Sequence, residues 1–280
     1  MVKKKLKIAL KAFIIVLFAA LFICVAIVTS IFAANKITYG KFASTDYIYQ
    51  IAHRGYQDAA PENTLPAFIE AGKSGAFYGA ECDVRLTKDG VWVVSHDEDV
   101  DRMTNGTGKI SEMSYDELSV LDIDGGANIQ NYSGLSIPML AEYLDVCSLY
   151  KMHAFIEVKE SDPKCVDSLY DLLEQRKLLG NTTILSFNKD ILKAFNEKEN
   201  KVNLFLLTKT ISNSDIRFCE DNNCILDFSA DKAFNTITRL NKAQKHGITL
   251  AAWSVNDTDS YIRLIDNGVL YITTNSPIGL

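Results

Sequence analysis

Apolar runs recur along this chain at regular intervals, each bounded by turn residues. Eight of them are rich in β-branched and aromatic side chains: YIYQIAH (47–53), FYGAECDV (77–84), AFIEVK (154–159), TTILSF (182–187), VNLFLLT (202–208), CILDFS (224–229), ITLAAWSV (248–255) and VLYITT (269–274). Such runs predict strands. Between most of them the period changes to that of a helix, as in NTLPAFIEAGKSG, DPKCVDSLYDLLEQRKLLG, FNTITRLNKAQKHG and DTDSYIRLIDNG. Gly180, Gly247 and Gly268 stand where such helices should end. Eight strands alternating with helices predict an α/β fold, a (β/α)8 TIM barrel of typically ~250 residues, over residues 47–280. An open doubly wound sheet is the alternative. It would more naturally carry a glycine-rich phosphate turn after its first strand, and GxGxxG is absent.

The interval between the second and third runs, residues 85–153, breaks the rhythm. It holds a hairpin-like pair (VRLTKDG and VWVVSHD), the polar loop DEDVDRMTNGTGKI, a short helix (SYDELSVL) and a further loop, and closes with IPMLAEYLDVCSLY, the true second helix. This predicts an inserted subdomain after strand two, at about residues 97–136, and a long loop at a barrel's active face is usually functional.

The pattern at the other extreme is uniform. Residues 12–34, AFIIVLFAALFICVAIVTSIFAA, contain no charge, and five lysines precede them. As a helix this run spans about 35 Å, enough for a bilayer core of about 30 Å. A cleaved signal peptide would normally have a shorter apolar region and a better small-x-small site, so an uncleaved transmembrane helix is the preferred reading. Residues 1–34 are then a cytoplasmic basic tip and anchor, and 35–46 a tether. The lysines before the span place the N-terminus in the cytoplasm and the barrel outside the cell membrane.

Without that segment, 24 Lys+Arg face 35 Asp+Glu, a net charge of −11. An acidic surface is a poor partner for nucleic acid. Beyond Cys24 in the apolar run there are five cysteines and no CxxC, which gives neither a zinc signature nor a full disulfide framework. Cys219 and Cys224 are close enough in sequence for pairing to stay open.

Chemistry collects at the ends of the predicted strands. Glu81 and Asp83 are two apart on the second strand, so both carboxylates face the barrel interior with Cys82 turned outward. Inward carboxylates in an apolar strand are costly unless something cationic holds them. Glu157 and Lys159 repeat the spacing on the neighbouring strand. The pair could simply neutralise itself, but strand adjacency brings Glu81, Asp83 and Glu157 together. An all-oxygen set fits one hard divalent cation, Mg2+ or Ca2+. His53 and His96 each end an apolar run beside this cluster, and as a pair they suit general acid and base roles. Arg54 beside His53 suits an anion. His153 begins a strand at the opposite end and His246 precedes a helix-ending Gly, so both read as structural. Asp97, Asp99 and Asp101 imitate the start of a calcium loop, but Arg102 and Gly108 occupy positions that need Gly and Glu, so the loop reads as solvated.

The succession HRG, PENT, ECD-VRLTKDG-VWVVSHD, IPML-EYL, IEVK, SFN and WSVN resembles the glycerophosphodiester phosphodiesterase family from about residue 48 to 275. The resemblance implies a (β/α)8 barrel with an insertion after strand two. It also implies His53 and His96 as the acid/base pair, Glu81, Asp83 and Glu157 as metal ligands, and Arg54 and Lys159 as phosphate-binding groups. Glu62 would support Arg54 or the ion, and Trp253 would be a mouth aromatic against the substrate's non-phosphate side. Phe187 and Ser186 carry weaker implications. The segment ITTNSPIGL lacks the Asp that members often carry after Ile-Thr and has Asn275 nearby, and little sequence remains for a last helix. The implied reaction is metal-dependent release of sn-glycerol 3-phosphate and an alcohol, with the glycerol's own neighbouring hydroxyl as nucleophile. A lysophospholipase D-like enzyme acting on lipid or on a cell-envelope glycerophosphate polymer is the alternative. A catalytically silent binding barrel is disfavoured, because no acid, base or ligand position is missing. No protein partner is evident.

Overall fold

The structure is a computed structural model that describes residues 48–199, 202–231 and 235–279. The expected anchor and tether lie outside the described residues. Among the described residues no helix is long and apolar enough to cross a membrane.

Among the described residues nine strands form one sheet: β1 (Tyr49–Ala52), β2 (Gly79–Leu86), β3 (Trp92–Val94), β4 (His153–Val158), β5 (Thr182–Ser186), β6 (Asn203–Thr208), β7 (Ile225–Ser229), β8 (Leu250–Trp253) and β9 (Val269–Thr274). All but β3 are parallel neighbours, and β1 pairs with both β2 and β9, so the eight parallel strands close into a barrel. Each predicted run supplies one of them. The closing register pairs Ala52 with Ala80 on one side and with Thr274 on the other. Closure is therefore complete despite the short sequence after β9. β3 is the antiparallel partner of the upper half of β2, with Val84 opposite Val94, as the hairpin-like pattern predicts.

The helices are α1 (Leu65–Ser74), α2 (Tyr115–Ser119), α3 (Leu140–Tyr150), α4 (Val166–Gln175), α5 (Lys189–Asn196), α6 (Asn213–Asn222), α7 (Ile237–Lys245) and α8 (Thr258–Ile265). Local chemistry sets their ends. Thr64 caps α1 by accepting from the Ala67 N–H, and Gly75 closes it in the left-handed region. Gly247 and Gly268 also have positive φ, at 77° and 75°. Gly180 does not end α4. Lys177 takes the left-handed position there, at φ 57°, and Gly180 lies in a short 3-10 turn beyond it.

Three cores result. The main one lies between strands and helices and contains Cys82, Val84, Phe68 and Leu144. A second fills the barrel interior with Ile51, Phe155, Leu185, Phe205, Leu207 and Ala251. Phe155 and Phe205 are fully buried there, each contributing about 1.5–3 kcal/mol. At the N-terminal end of the strands a ring of aromatics closes the barrel: Tyr49 stacks on Tyr271 at 4.8 Å and Phe205 meets Tyr271 edge-on at 5.1 Å. His153 completes this plug against Tyr78 and bonds Thr183, which is the structural role expected of it. The third core, Val93, Val100, Ile110, Leu118 and Ile137, belongs to the segment between β3 and α3. Val100 and Thr104 are buried, so the loop read as merely solvated is packed and ordered by its own apolar contacts. Cys82, Cys147, Cys165, Cys219 and Cys224 are buried free thiols, which answers the open question of a Cys219–Cys224 bridge.

Candidate active site

The C-terminal ends of the strands surround a cavity of about 390 Å³. One wall carries His53, Arg54, Glu81, His96, Glu157 and Lys159, and the other carries Leu185, Phe187, Leu207 and Trp253. The sequence-derived site residues thus meet in one place, apart from Asp83 and Glu62, which sit immediately behind the polar wall.

The turn after β1 explains the HRG order. The His53 N–H extends the ladder to the Thr274 carbonyl at 2.9 Å. Arg54 then takes φ 55° and Gly55 φ 81°. Two successive left-handed residues, rather than Gly55 alone, swing the chain so that the Arg54 N–H donates to Glu81 Oε2 at 2.8 Å. A Cβ on Gly55 would lie 2.7 Å from the Ala67 carbonyl carbon, so the position has no room for one.

Asp83 and Glu157 are direct partners in the β2–β4 register. Lys159 Nζ bridges them, at 2.9 Å from Asp83 Oδ1 and 2.6 Å from Glu157 Oε1. Arg54 Nε lies 3.2 Å from Asp83 Oδ2 but is not aligned for a hydrogen bond, so that N–H is left for another acceptor. Arg54 Nη1 donates to Glu62 at 2.9 Å. Glu62 also accepts from Arg102 at 2.7 Å, Arg102 Nε donates to Asp97, and Asp97 faces His96 Nδ1 at 2.8 Å. The insertion loop is therefore tied to the β1 turn through one chain of charges.

Glu81, Asp83 and Glu157 each place a carboxylate oxygen within 4.8 Å of the others. Their charges do not coexist easily. Burial, then repulsion from Asp83 and Glu157, pushes Glu81 well above the ordinary carboxylate range. Burial, then Asp83, raises Glu157 to about 7 against the pull of Lys159. Burial opposes the Asp83 charge too, but Lys159 and Arg54 outweigh it and hold that carboxyl low. Glu81 Oε1 is buried and has no partner among the described residues. An orphaned oxygen in a crowded all-carboxylate set is the donor arrangement a hard divalent cation fits, and these three residues would hold it.

Burial, followed by Arg54, lowers the His53 pKa. Its Nδ1 lies 2.8 Å from Asn275 Oδ1 and 2.9 Å from Gln57 Nε2. Gln57 Nε2 also donates to the His53 carbonyl at 3.0 Å. Of the two Nδ1 neighbours only the Asn275 oxygen can accept a proton, and with the proton shared there Nε2 keeps its lone pair.

Several residues at this site were not singled out by the sequence reading. Asn275 was noted as a departure in sequence, and it orients His53. Asn63, expected only within a helix cap, donates to Asp83 Oδ2 at 2.9 Å from a backbone at φ 56°. Asp97 and Arg102 connect His96 to Glu62. Asp227 and Lys209 line the cavity on the less polar side. Trp253 is there as expected, edge-on to Phe187 at 5.7 Å.

Comparison with known proteins places the whole barrel. A family model described as the glycerophosphoryl diester phosphodiesterase family matches residues 53–278. A glycerophosphodiester phosphodiesterase of Bacillus subtilis is 32% identical over 271 residues, covering 89% of this chain and 90% of its own. Another, from Caldanaerobacter subterraneus, is 32% identical over 235 residues, covering 81% and 93%. Among solved structures, an Oleispira antarctica phosphodiesterase in complex with the product sn-glycerol 3-phosphate superposes with a TM-score of 0.75 at 27% identity, over 83% of this chain and 95% of that one. With a matching family model over most of its length and relatives above 30% identity along nearly the full chain, this chain belongs to the glycerophosphodiester phosphodiesterase family and is a phosphoric diester hydrolase.

Proposed function

We propose that the protein cleaves glycerophosphodiesters to sn-glycerol 3-phosphate and an alcohol by acid–base catalysis between His53 and His96, with one divalent cation, Mg2+ or Ca2+, held by Glu81, Asp83 and Glu157. The observation that carries this reading is the shared cavity: three mutually crowded carboxylates, two imidazoles and two cationic side chains line or back one wall. A cation bound there supplies charge that offsets the negative charge growing on the phosphorus-bound oxygens.

Arg54, with its free Nε–H, and Lys159 orient the phosphate. His53 has a neutral amide on Nδ1 and the Arg54 charge beside it, so it is suited to be the neutral base. Its Nε2 takes the proton of the attacking hydroxyl, the glycerol's own neighbour to the phosphate. His96 has the Asp97 carboxylate on Nδ1, so a proton carried by its ring meets a compensating charge, and it gives that proton to the departing alcohol oxygen. Water then opens the cyclic phosphate with the two histidines in exchanged roles.

Release of glycerol 3-phosphate from glycerophosphocholine, glycerophosphoethanolamine and glycerophosphoglycerol, after chelation and again with Mg2+ or Ca2+ restored, tests the proposal. His53→Ala and His96→Ala should each lose about 10²–10⁴-fold. Full activity in both variants, or activity indifferent to chelation, refutes it. The half-exposed Phe187 beside Trp253 gives the mouth an apolar lip, which favours a longer or lipid-bearing alcohol. Parallel assays of lysolipid and its deacylated headgroup diester separate the two substrates. We also propose that the apolar run 12–34 holds the barrel on the outer side of the cell membrane. A reporter fused after Leu280 that is active only in the cytoplasm contradicts that placement.

A further inference from the structure

Asp227 is the least explained charged residue of the barrel. It is the central residue of β7, one step deeper than the layer of Trp253, with Leu207 and Ala251 as its neighbours in register. Alternation with Ile225, which packs on the interior core, turns its side chain inward, and it lines the cavity opposite the carboxylate cluster. It is 1% exposed, and neither carboxyl oxygen has a partner among the described residues. Asp83 and Glu157 both have cationic partners, and Glu81 has a backbone donor and a place in the cation set. Asp227 has neither. Nearby, on the adjacent strand, Trp253 presents an indole Nε1–H that is also buried and unpartnered. Both carboxyl oxygens and one indole N–H are therefore left over at one wall of the cavity, where unpaired polar groups are costly.

We propose that Asp227 is a specificity-determining residue that reads the free hydroxyl groups of the substrate's glycerol half, with the Trp253 indole N–H as the complementary donor. A polyol that enters the cavity gives up its water and must find both donors and acceptors. A hydroxyl accepts from the indole and donates to the carboxyl. Burial, and after it the Glu157 charge across the cavity, raises the Asp227 pKa well above the ordinary carboxyl range. This inference rests on the function proposed above, in that the phosphate must bind at the Arg54–Lys159 wall for the glycerol to reach β7.

The test is direct binding, by calorimetry with Mg2+ present, of sn-glycerol 3-phosphate and of propyl phosphate, which keeps the phosphate and carbon chain but lacks the hydroxyls. Wild type, Asp227→Leu, Asp227→Ala and Trp253→Phe are compared, with folding checked by thermal unfolding. Wild type is expected to prefer glycerol 3-phosphate by roughly 10- to 100-fold, and folded Asp227→Leu or Asp227→Ala to reduce that preference to within about 3-fold while propyl phosphate binding holds. Trp253→Phe, which keeps the ring face and removes the donor, should lose part of it. An undiminished preference in the folded Asp227 variants overturns the proposal, as does equal weakening of both ligands. A wild type that turns over diesters but does not distinguish the two ligands overturns this inference alone. A wild type that binds neither overturns it together with the functional reading.

Discussion

Replacing Asn275 by Asp would set a carboxylate 2.8 Å from His53 Nδ1, where a neutral amide oxygen now sits. His53 titrates below 6.5 because burial and then Arg54 disfavour its charged form, with the Asn275 bond opposing them only weakly. An adjacent opposite charge typically moves a pKa by about 1–3 units, or about 1.4–4 kcal/mol. The shift is upward, against the present depression. In the wild type the acidic limb of kcat/KM should fall below pH 6.5, and in Asn275→Asp it should move to higher pH. Stability moves in the opposite sense. The depressed His53 contributes stability that is present above 6.5 and lost as pH falls through its folded pKa, because the unfolded chain binds the proton first. In the variant the folded pKa moves up toward the unfolded value, so less of that stability is lost on acidification. Rate profiles with glycerophosphocholine, paired with urea unfolding at pH 5 and 8, read both. An acidic limb that stays in place or moves down refutes the assignment of His53 as the neutral base held by residue 275.

Three further outcomes are expected. Asn63→Gly keeps the positive-φ backbone but removes a buried hydrogen bond to the Asp83 carboxylate, and should cost about 1.5–3 kcal/mol in chemical denaturation. Tyr143→Phe leaves the Ala80 carbonyl and Phe155 N–H without the hydroxyl that joins β2 to β4, which should cost about 1–3 kcal/mol by the same measurement. Arg102→Met should leave stability within about 0.5 kcal/mol, since the side chain is half-exposed, yet lower kcat roughly 10-fold by releasing Asp97 and the His96 ring.

The barrel was legible because each strand is a short apolar run with its own turn signals, and the i, i+2 carboxylates on β2 announced an inward-facing charge. The same signal is present in CILDFS, where Asp227 interrupts an apolar strand on the interior parity, but a single carboxylate without a second two residues away was easy to pass over. Asn275, Asn63 and Gln57 were hidden for a different reason. Their roles arise where loops from distant strands meet, and an amide in a loop reads first as a cap or turn. The Asp97–Arg102–Glu62 link joins residues 40 apart in sequence, and only the folded insertion brings them together. Gly180 misled because Lys177 could take the left-handed position one turn earlier.

The aromatic plug at the N-terminal end of the strands has a kinetic consequence. With Tyr49, Tyr271 and Phe205 packed together at one end of the barrel, the cavity is lined at the other by Phe187 and Trp253. Whichever fragment sits deeper must wait for the shallower one to depart. On the proposed placement of the glycerol against β7, the alcohol would leave first and glycerol 3-phosphate last, an ordered turnover in which accumulated glycerol 3-phosphate would compete with substrate for the same empty enzyme.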